Sequence, residues 1–187
     1  MKNINFSSYL QNIKQKKPLV HCITNYVTVN DCANIILAIG GSPIMADDIG
    51  EVEEITKIAN CLVINIGTLN QRTIESMLLA GKTANRFNIP VVLDPVGVGA
   101  SKLRTETTKK LLDTVKFSVV RGNGSELKFI AGLSAKIKGV DADENDIGDS
   151  IDNKVNFVRD LSKKLDSVVA MTGAVDVVSN GEKVYSI

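Results

Sequence analysis

Asp94 and Arg121 each close an apolar run, in Val91-Val92-Leu93-Asp94-Pro95-Val96-Gly97-Val98-Gly99-Ala100 and in Val119-Val120-Arg121-Gly122-Asn123-Gly124-Ser125-Glu126. Runs of this kind are what a parallel sheet buries on both faces. Ligands of open parallel sheets lie beyond the carboxyl ends of the strands, so both charged side chains are expected to project into that crevice. Arginine offers a rigid fork of donors to phosphate oxygens. Asp94 and Glu126 are hard oxygen donors of the kind Mg²⁺ takes together with water and substrate phosphates. The glycines permit close backbone approach, and a helix opening near Ser125 aims N–H groups at an anion. Thr172-Gly173, following Val168-Val169-Ala170-Met171, adds a hydroxyl at the same sheet edge. The combination points to nucleotide phosphate chemistry. The bland alternative is a local ion pair between Arg121 and Glu126, with Asp94 a turn acid before Pro95.

An alternation of strand and helix patterns must position these groups. Phe6 to Lys17 reads as an amphipathic helix stopped by Pro18, and Leu19 to Ile23 as a first strand. Val29, Cys32, Ala33, Ile36 and Gly40 mark one face of the next helix, which Gly40-Gly41 ends; Ser42 to Ala46 is a short connecting segment. A helix from Glu51 to Asn60 places Val52, Ile55 and Ala59 inward, and a strand runs from Cys61 to Ile66. Ile74, Met77, Leu78, Gly81 and Ala84 give the face of a longer helix to Phe87, followed by a strand from Pro90 to Asp94. Helix 105–115, strand 117–121, short helix 126–131, a helix marked by Ile151, Val155, Val158, Leu161 and Leu165, and strand 168–171 complete the series. Connections of this length allow right-handed crossovers between parallel strands. Asn180-Gly181 between Val175–Ser179 and Lys183–Ile187 signals an antiparallel hairpin at the end. The expected fold is a three-layer α/β arrangement, mostly parallel with this antiparallel C-terminal hairpin.

Composition narrows the function classes. At 187 residues the chain is most simply one domain, and its 44% apolar and 23% charged content is that of a globular protein. The 22 basic and 21 acidic residues nearly cancel, leaving no global field for nucleic acid or acidic membrane. No apolar run nears the ~18 residues of a membrane span. Met1 to Phe6 lacks the apolar core of a signal peptide, so a cytoplasmic protein is expected. Cys22, Cys32 and Cys61 form no C-x-x-C pair and are expected to be reduced packing residues. His21 is the one histidine, so any histidine triad rests on it; a packing role on the first strand is preferred.

Three motif-like stretches fail on context. Ser76 to Thr83 ends like a P-loop but lies inside a helix pattern, where N–H groups cannot converge on phosphate. Asp141 to Asp146 begins like a calcium loop, yet Asp146 stands where the turn needs glycine, so a solvated acidic loop is expected. Gly122-x-Gly124 continues to Leu127 where a dinucleotide fingerprint needs a third glycine.

The motifs His21-Cys22-Ile23-Thr24-Asn25-Tyr26-Val27, Gly41-Ser42-Pro43-Ile44-Met45-Ala46, Asp94 to Ala100, Arg121 to Glu126 and Thr172-Gly173-Ala174-Val175-Asp176 resemble, in order, those of hydroxyethylthiazole kinases. The resemblance implies a single ribokinase-like domain over 1–187. It also implies transfer of the ATP γ-phosphate to the alcohol of 4-methyl-5-(2-hydroxyethyl)thiazole in thiamine salvage, by a homotrimer with active sites at subunit interfaces. By position, Met45 and more weakly Asn25 would contact the thiazole. Arg121 and Thr172 would bind ATP, while Asp94 and Glu126 would hold Mg²⁺. Members of the family continue past the hairpin into a Gly-Thr-Gly-Cys-like motif that supplies the anion hole and catalytic base. That motif is not among these residues, so no catalytic base is assigned, and the residues are expected to belong to a longer polypeptide. A related pyrimidine or pyridoxal vitamin kinase, or a catalytically dead ligand-binding module, are the alternative readings.

Overall fold

The computed structural model describes residues 6–133 and 150–187. The acidic stretch Asp141 to Asp146 lies outside them. The chain divides into two compact units, the first ending at Val91 and the second beginning at Val92.

The first unit opens with helix α1 (Phe6–Lys16), ended by Lys17 in a left-handed conformation (φ 44°) and then Pro18. Strand β1 (Leu19–Ile23) follows, then α2 (Val29–Ile39), β2 (Ser42–Ile44), α3 (Val52–Ile58), β3 (Cys61–Asn65) and α4 (Gln71–Arg86). Within this unit β1 is central, paired in parallel with β2 on one side and β3 on the other. Ile23, Leu62, Ile64, Ile66, Met77 and Val52 are fully buried. Gly40 ends α2 by taking a left-handed conformation that a side chain would resist, its N–H reaching Ile36 and Leu37 carbonyls. The P-loop-like residues Ser76 to Thr83 lie within α4, whose start is closed by a reciprocal capping box between Asn70 and Thr73.

Two details differ from the sequence reading. Ser42–Ile44 is a strand, not a connector, in spite of Pro43. A proline is tolerated in a strand whose other edge needs no donor. In α3 the buried positions are Val52 and Thr56, with Ile55 only half-buried, so a threonine occupies the inward face that an apolar pattern assigns to isoleucine.

Strand β4 (Val91–Asp94) begins at the boundary, and the second unit continues with α5 (Lys102–Thr114), β5 (Val119–Asn123), α6 (Gly124–Leu133), α7 (Ile151–Leu165), β6 (Val168–Thr172), β7 (Val177–Ser179) and β8 (Val184–Ser186). β4, β5 and β6 pair in parallel, and β7 and β8 continue antiparallel. This is the expected mostly parallel α/β arrangement with an antiparallel C-terminal hairpin. The hairpin turn is wider than Asn180-Gly181 alone. The Asn180 side-chain oxygen accepts from the N–H groups of Glu182 and Lys183, so residues 180–183 form the loop. Leu93, Val120, Leu111, Leu127, Ile130 and Val169 are fully buried. Strand β5 does not stop at Arg121 but continues to Asn123, because pairing with β6 provides ladder partners for Gly122 and Asn123. Arg121 lies opposite Ala170, and Asn123 opposite Thr172.

Among the described residues no helix is long and apolar enough to cross a membrane.

Candidate active site

Four of the six expected site residues fall on β4, β5, β6 and the start of α6. The register Val92↔Val119, Leu93↔Val120 carries Asp94 alongside Arg121, and one Arg121 guanidinium nitrogen stands 3.3 Å from Asp94 Oδ2. Arg121 is half exposed whereas the Asp94 side chain is 18% exposed. The ion pair of the arginine is thus with Asp94, across strands, and the local pair with Glu126 is not made. Glu126 instead closes the helix start. Its Oε2 accepts from Asn123 N–H at 2.8 Å, and the Asn123 side-chain oxygen accepts from Glu126 N–H at 2.9 Å. This reciprocal capping box sets α6 so that its leading N–H groups face the end of β5. Thr172, the last residue of β6, is the register partner of the capping Asn123.

Glu126 does a second job. Its Oε1 accepts from Gly97 N–H at 2.9 Å, tying the loop after Asp94 to the cap. Arg104 of α5 donates to the Val96 carbonyl at 2.6 Å, holding the same loop from its other side. Gly99 has φ 90°, and a Cβ placed there would lie 2.6 Å from the Phe129 ring. Both the backbone conformation and the ring require glycine at that position. The loop carrying Asp94 is therefore fixed by groups on α5 and α6.

Among the described residues no group of three or more His, Cys, Asp or Glu side chains is placed to hold a metal ion. Asp94 presents a carboxylate of the kind Mg²⁺ takes together with water and phosphate oxygens, while each oxygen of Glu126 already accepts one backbone N–H.

In the first unit, Asn25 follows β1 and is buried. Its side-chain oxygen accepts from the N–H groups of Val27 and Thr28 and from the Thr28 hydroxyl, and its amide donates to Asn65 Oδ1 at 3.0 Å. Asn65 Oδ1 also takes Gly67 N–H. A Cβ at Gly67 would stand 2.8 Å from Asn25 Cβ, so the two strand exits touch. Asn25 thereby shapes the turn into α2. Met45 lies just past β2 and is 36% exposed, an accessible thioether. Between these segments His21 is fully buried. Its Nε2 is 2.7 Å from the Ala46 carbonyl oxygen and its Nδ1 3.0 Å from Thr56 Oγ1. Burial holds its pKa below the ordinary histidine value, outweighing the opposing pull of the Ala46 carbonyl and the Glu51 charge. The three cysteines are free thiols, and burial pushes the Cys22 thiol up to about 12. Such a thiol is not a nucleophile at neutral pH.

A model of the hydroxyethylthiazole kinase family matches residues 10–187. The chain belongs to this family. A hydroxyethylthiazole kinase of Clostridium beijerinckii is 62% identical over 182 residues, covering 97% of this chain and 66% of that protein. The structure of hydroxyethylthiazole kinase protein from Pyrococcus horikoshii OT3 superposes with a TM-score of 0.84 at 35% identity, over 96% of this chain and 65% of that one. A ribokinase of Giardia lamblia shares only the fold, with a TM-score of 0.50 at 12% identity over 96% of this chain and 63% of the other. The chain thus spans about two thirds of the length of these hydroxyethylthiazole kinases.

The groups that sequence reasoning passed over are the ones that hold others in place. Asn123-x-x-Glu126 is a legible capping-box spacing, and it could have been read before the structure. Arg104, Phe129 and Thr56 carry no local signal, since their partners are set by tertiary packing.

Proposed function

We propose that this chain carries the machinery for phosphorylating the hydroxyl of 4-methyl-5-(2-hydroxyethyl)thiazole with ATP, a step of thiamine salvage. The observation that carries the reading is the grouping of Asp94, Arg121, the Asn123–Glu126 cap and Thr172 at the end of three adjoining parallel strands, in a chain of this family. Arg121 and Thr172 bind ATP, the guanidinium exchanging part of its pairing with Asp94 for phosphate oxygens. Asp94 and Glu126 would hold Mg²⁺ with those phosphates, and the ion would supply neutralisation of their charge. The fixed loop 95–100 keeps Asp94 in register, which suits a reaction that depends on positioning and charge neutralisation more than on covalent chemistry. Met45 offers the thiazole ring a soft, polarizable contact, and Asn25, at the turn into α2, is the weaker contact. No residue of this chain is assigned as the base.

Tyr26, Val27, Ile35 and Leu37 are exposed apolar residues at and near α2, and they support a homotrimer with active sites at subunit interfaces. The near-neutral charge balance favours a cytoplasmic enzyme of small molecules over a partner of nucleic acid or membrane.

The test is ADP release by the full-length protein with ATP, Mg²⁺ and a panel of alcohols. Turnover on the thiazole alcohol, at least tenfold above hydroxymethylpyrimidine and pyridoxal, is expected. Turnover on either of those with none on the thiazole would replace this reading with a related vitamin kinase. Thiazole binding by calorimetry with no turnover would leave a binding module.

A further inference from the structure

We infer that His21 is a positioning residue that sets the place of Met45, and through it the affinity for the apolar ring of the acceptor alcohol. The inference rests on the proposed role of Met45. Strand β2 leaves its ladder with β1 after the pair His21↔Ile44, so Met45 is the first residue beyond the sheet. What holds the chain there is the next carbonyl, Ala46 O, 2.7 Å from His21 Nε2. A carbonyl only accepts, so Nε2 carries the proton and donates. On the other side of the ring Nδ1 meets Thr56 Oγ1 at 3.0 Å, and that hydroxyl is also 2.6 Å from the Val52 carbonyl. In the neutral imidazole, which burial favours, Nδ1 is an acceptor, so the single Thr56 hydroxyl proton lies between two acceptors, Nδ1 and the Val52 carbonyl.

The ring thus bridges α3 and the segment leaving β2. His21, Thr56 and Ala46 are all buried, so the link is not exchanged for water. Met45, one residue away, is accessible. A flexible thioether gains definition from a fixed backbone, because its own rotamers provide little.

The experiment compares His21→Leu, His21→Gln and Thr56→Val in the full-length protein. Glutamine can place an N–H donor where Nε2 stands; leucine cannot. Leucine should raise KM for the thiazole alcohol about tenfold, the loss of one buried hydrogen bond. The kcat and KM for ATP should stay within about twofold, and glutamine should restore the alcohol KM to within about threefold. Thr56→Val, which removes the second anchor, should shift the alcohol KM in the same direction and decides the matter if the leucine protein does not fold. An unchanged alcohol KM, a joint fall of kcat and rise of both KM values, or no rescue by glutamine would overturn the assignment. The Met45 methyl resonance gives a readout independent of substrate. It should move or broaden in the leucine and valine proteins and return with glutamine. If the wild type does not phosphorylate the thiazole alcohol, the functional reading fails, while this resonance alone still decides whether His21 positions Met45.

Discussion

The two units solve opposite problems with the same backbone plan. In the first, neutral polar groups are turned toward one another: Asn25 with Asn65, Thr28 and the amides of the turn, and the buried His21 with Thr56 and Ala46. In the second, the side chains at the strand ends are charged and partly open to solvent, with half of Arg121 exposed beside Asp94. A neutral buried network makes a shape and holds it, whereas a charge pair at a surface can be exchanged for a charged ligand at small cost. Under the proposed function, the first unit would recognise shape and the second charge.

Mutations confined to one unit can break that division. The largest effect is expected for Asp94→Asn, which should lower Mg²⁺-dependent turnover by about 10²-fold or more with the acceptor alcohol still bound. A Mg²⁺ titration identical to wild type would remove Asp94 from the metal site. Arg121→Ala should raise KM for ATP by at least about tenfold, the worth of a charge-assisted contact, with alcohol binding unchanged in calorimetry. Equal loss of both ligands would mean that the arginine is structural and the contrast is lost. Asn25→Ala removes the acceptor for Val27 and Thr28 N–H and should cost about 1–2 kcal/mol in urea unfolding. Weaker alcohol binding with an unaltered KM for ATP would sharpen the division; the reverse would contradict it.

The smallest effect concerns pH. His21 has a native pKa held below 6.5 by burial, so the unfolded chain takes up a proton at a pH where the folded chain does not. Stability should be level above about pH 6.5 as far as this residue goes, and should fall as pH drops from there toward the lower native pKa, by at most about 1.4 kcal/mol per pH unit. His21→Gln should flatten that part of a urea-unfolding series. A slope that survives the substitution would mean that the histidine titrates freely.

Most of the strands and helices could be read from periodicity because each element buries a face, and Asp94 and Arg121 stood out because a charge ended an apolar run. What local pattern could not give was partnership. Arg121 has a carboxylate five residues on at Glu126 yet pairs with Asp94, since parallel register brings β4 and β5 side by side while the helix cap claims Glu126. Asn25 reads as a possible ligand contact, and its bond to Asn65 of β3 carries no local signal. Pro43 hid β2, because a three-residue edge strand carries too little pattern to offset a proline. Thr56 carries no signal in the short helix pattern and is the group that meets the buried imidazole.

The Glu126 carboxylate, shared between Gly97 N–H and Asn123 N–H, has a consequence for hydrogen exchange. These amides belong to different elements, the loop before α5 and the end of β5, but one side chain accepts from both. Rotation of that carboxylate exposes them in a single event, so they should exchange with matched protection factors and lose protection together in Glu126→Ala. The amide of Gly97 then serves as a remote reporter on whether the helix cap at Asn123 is closed.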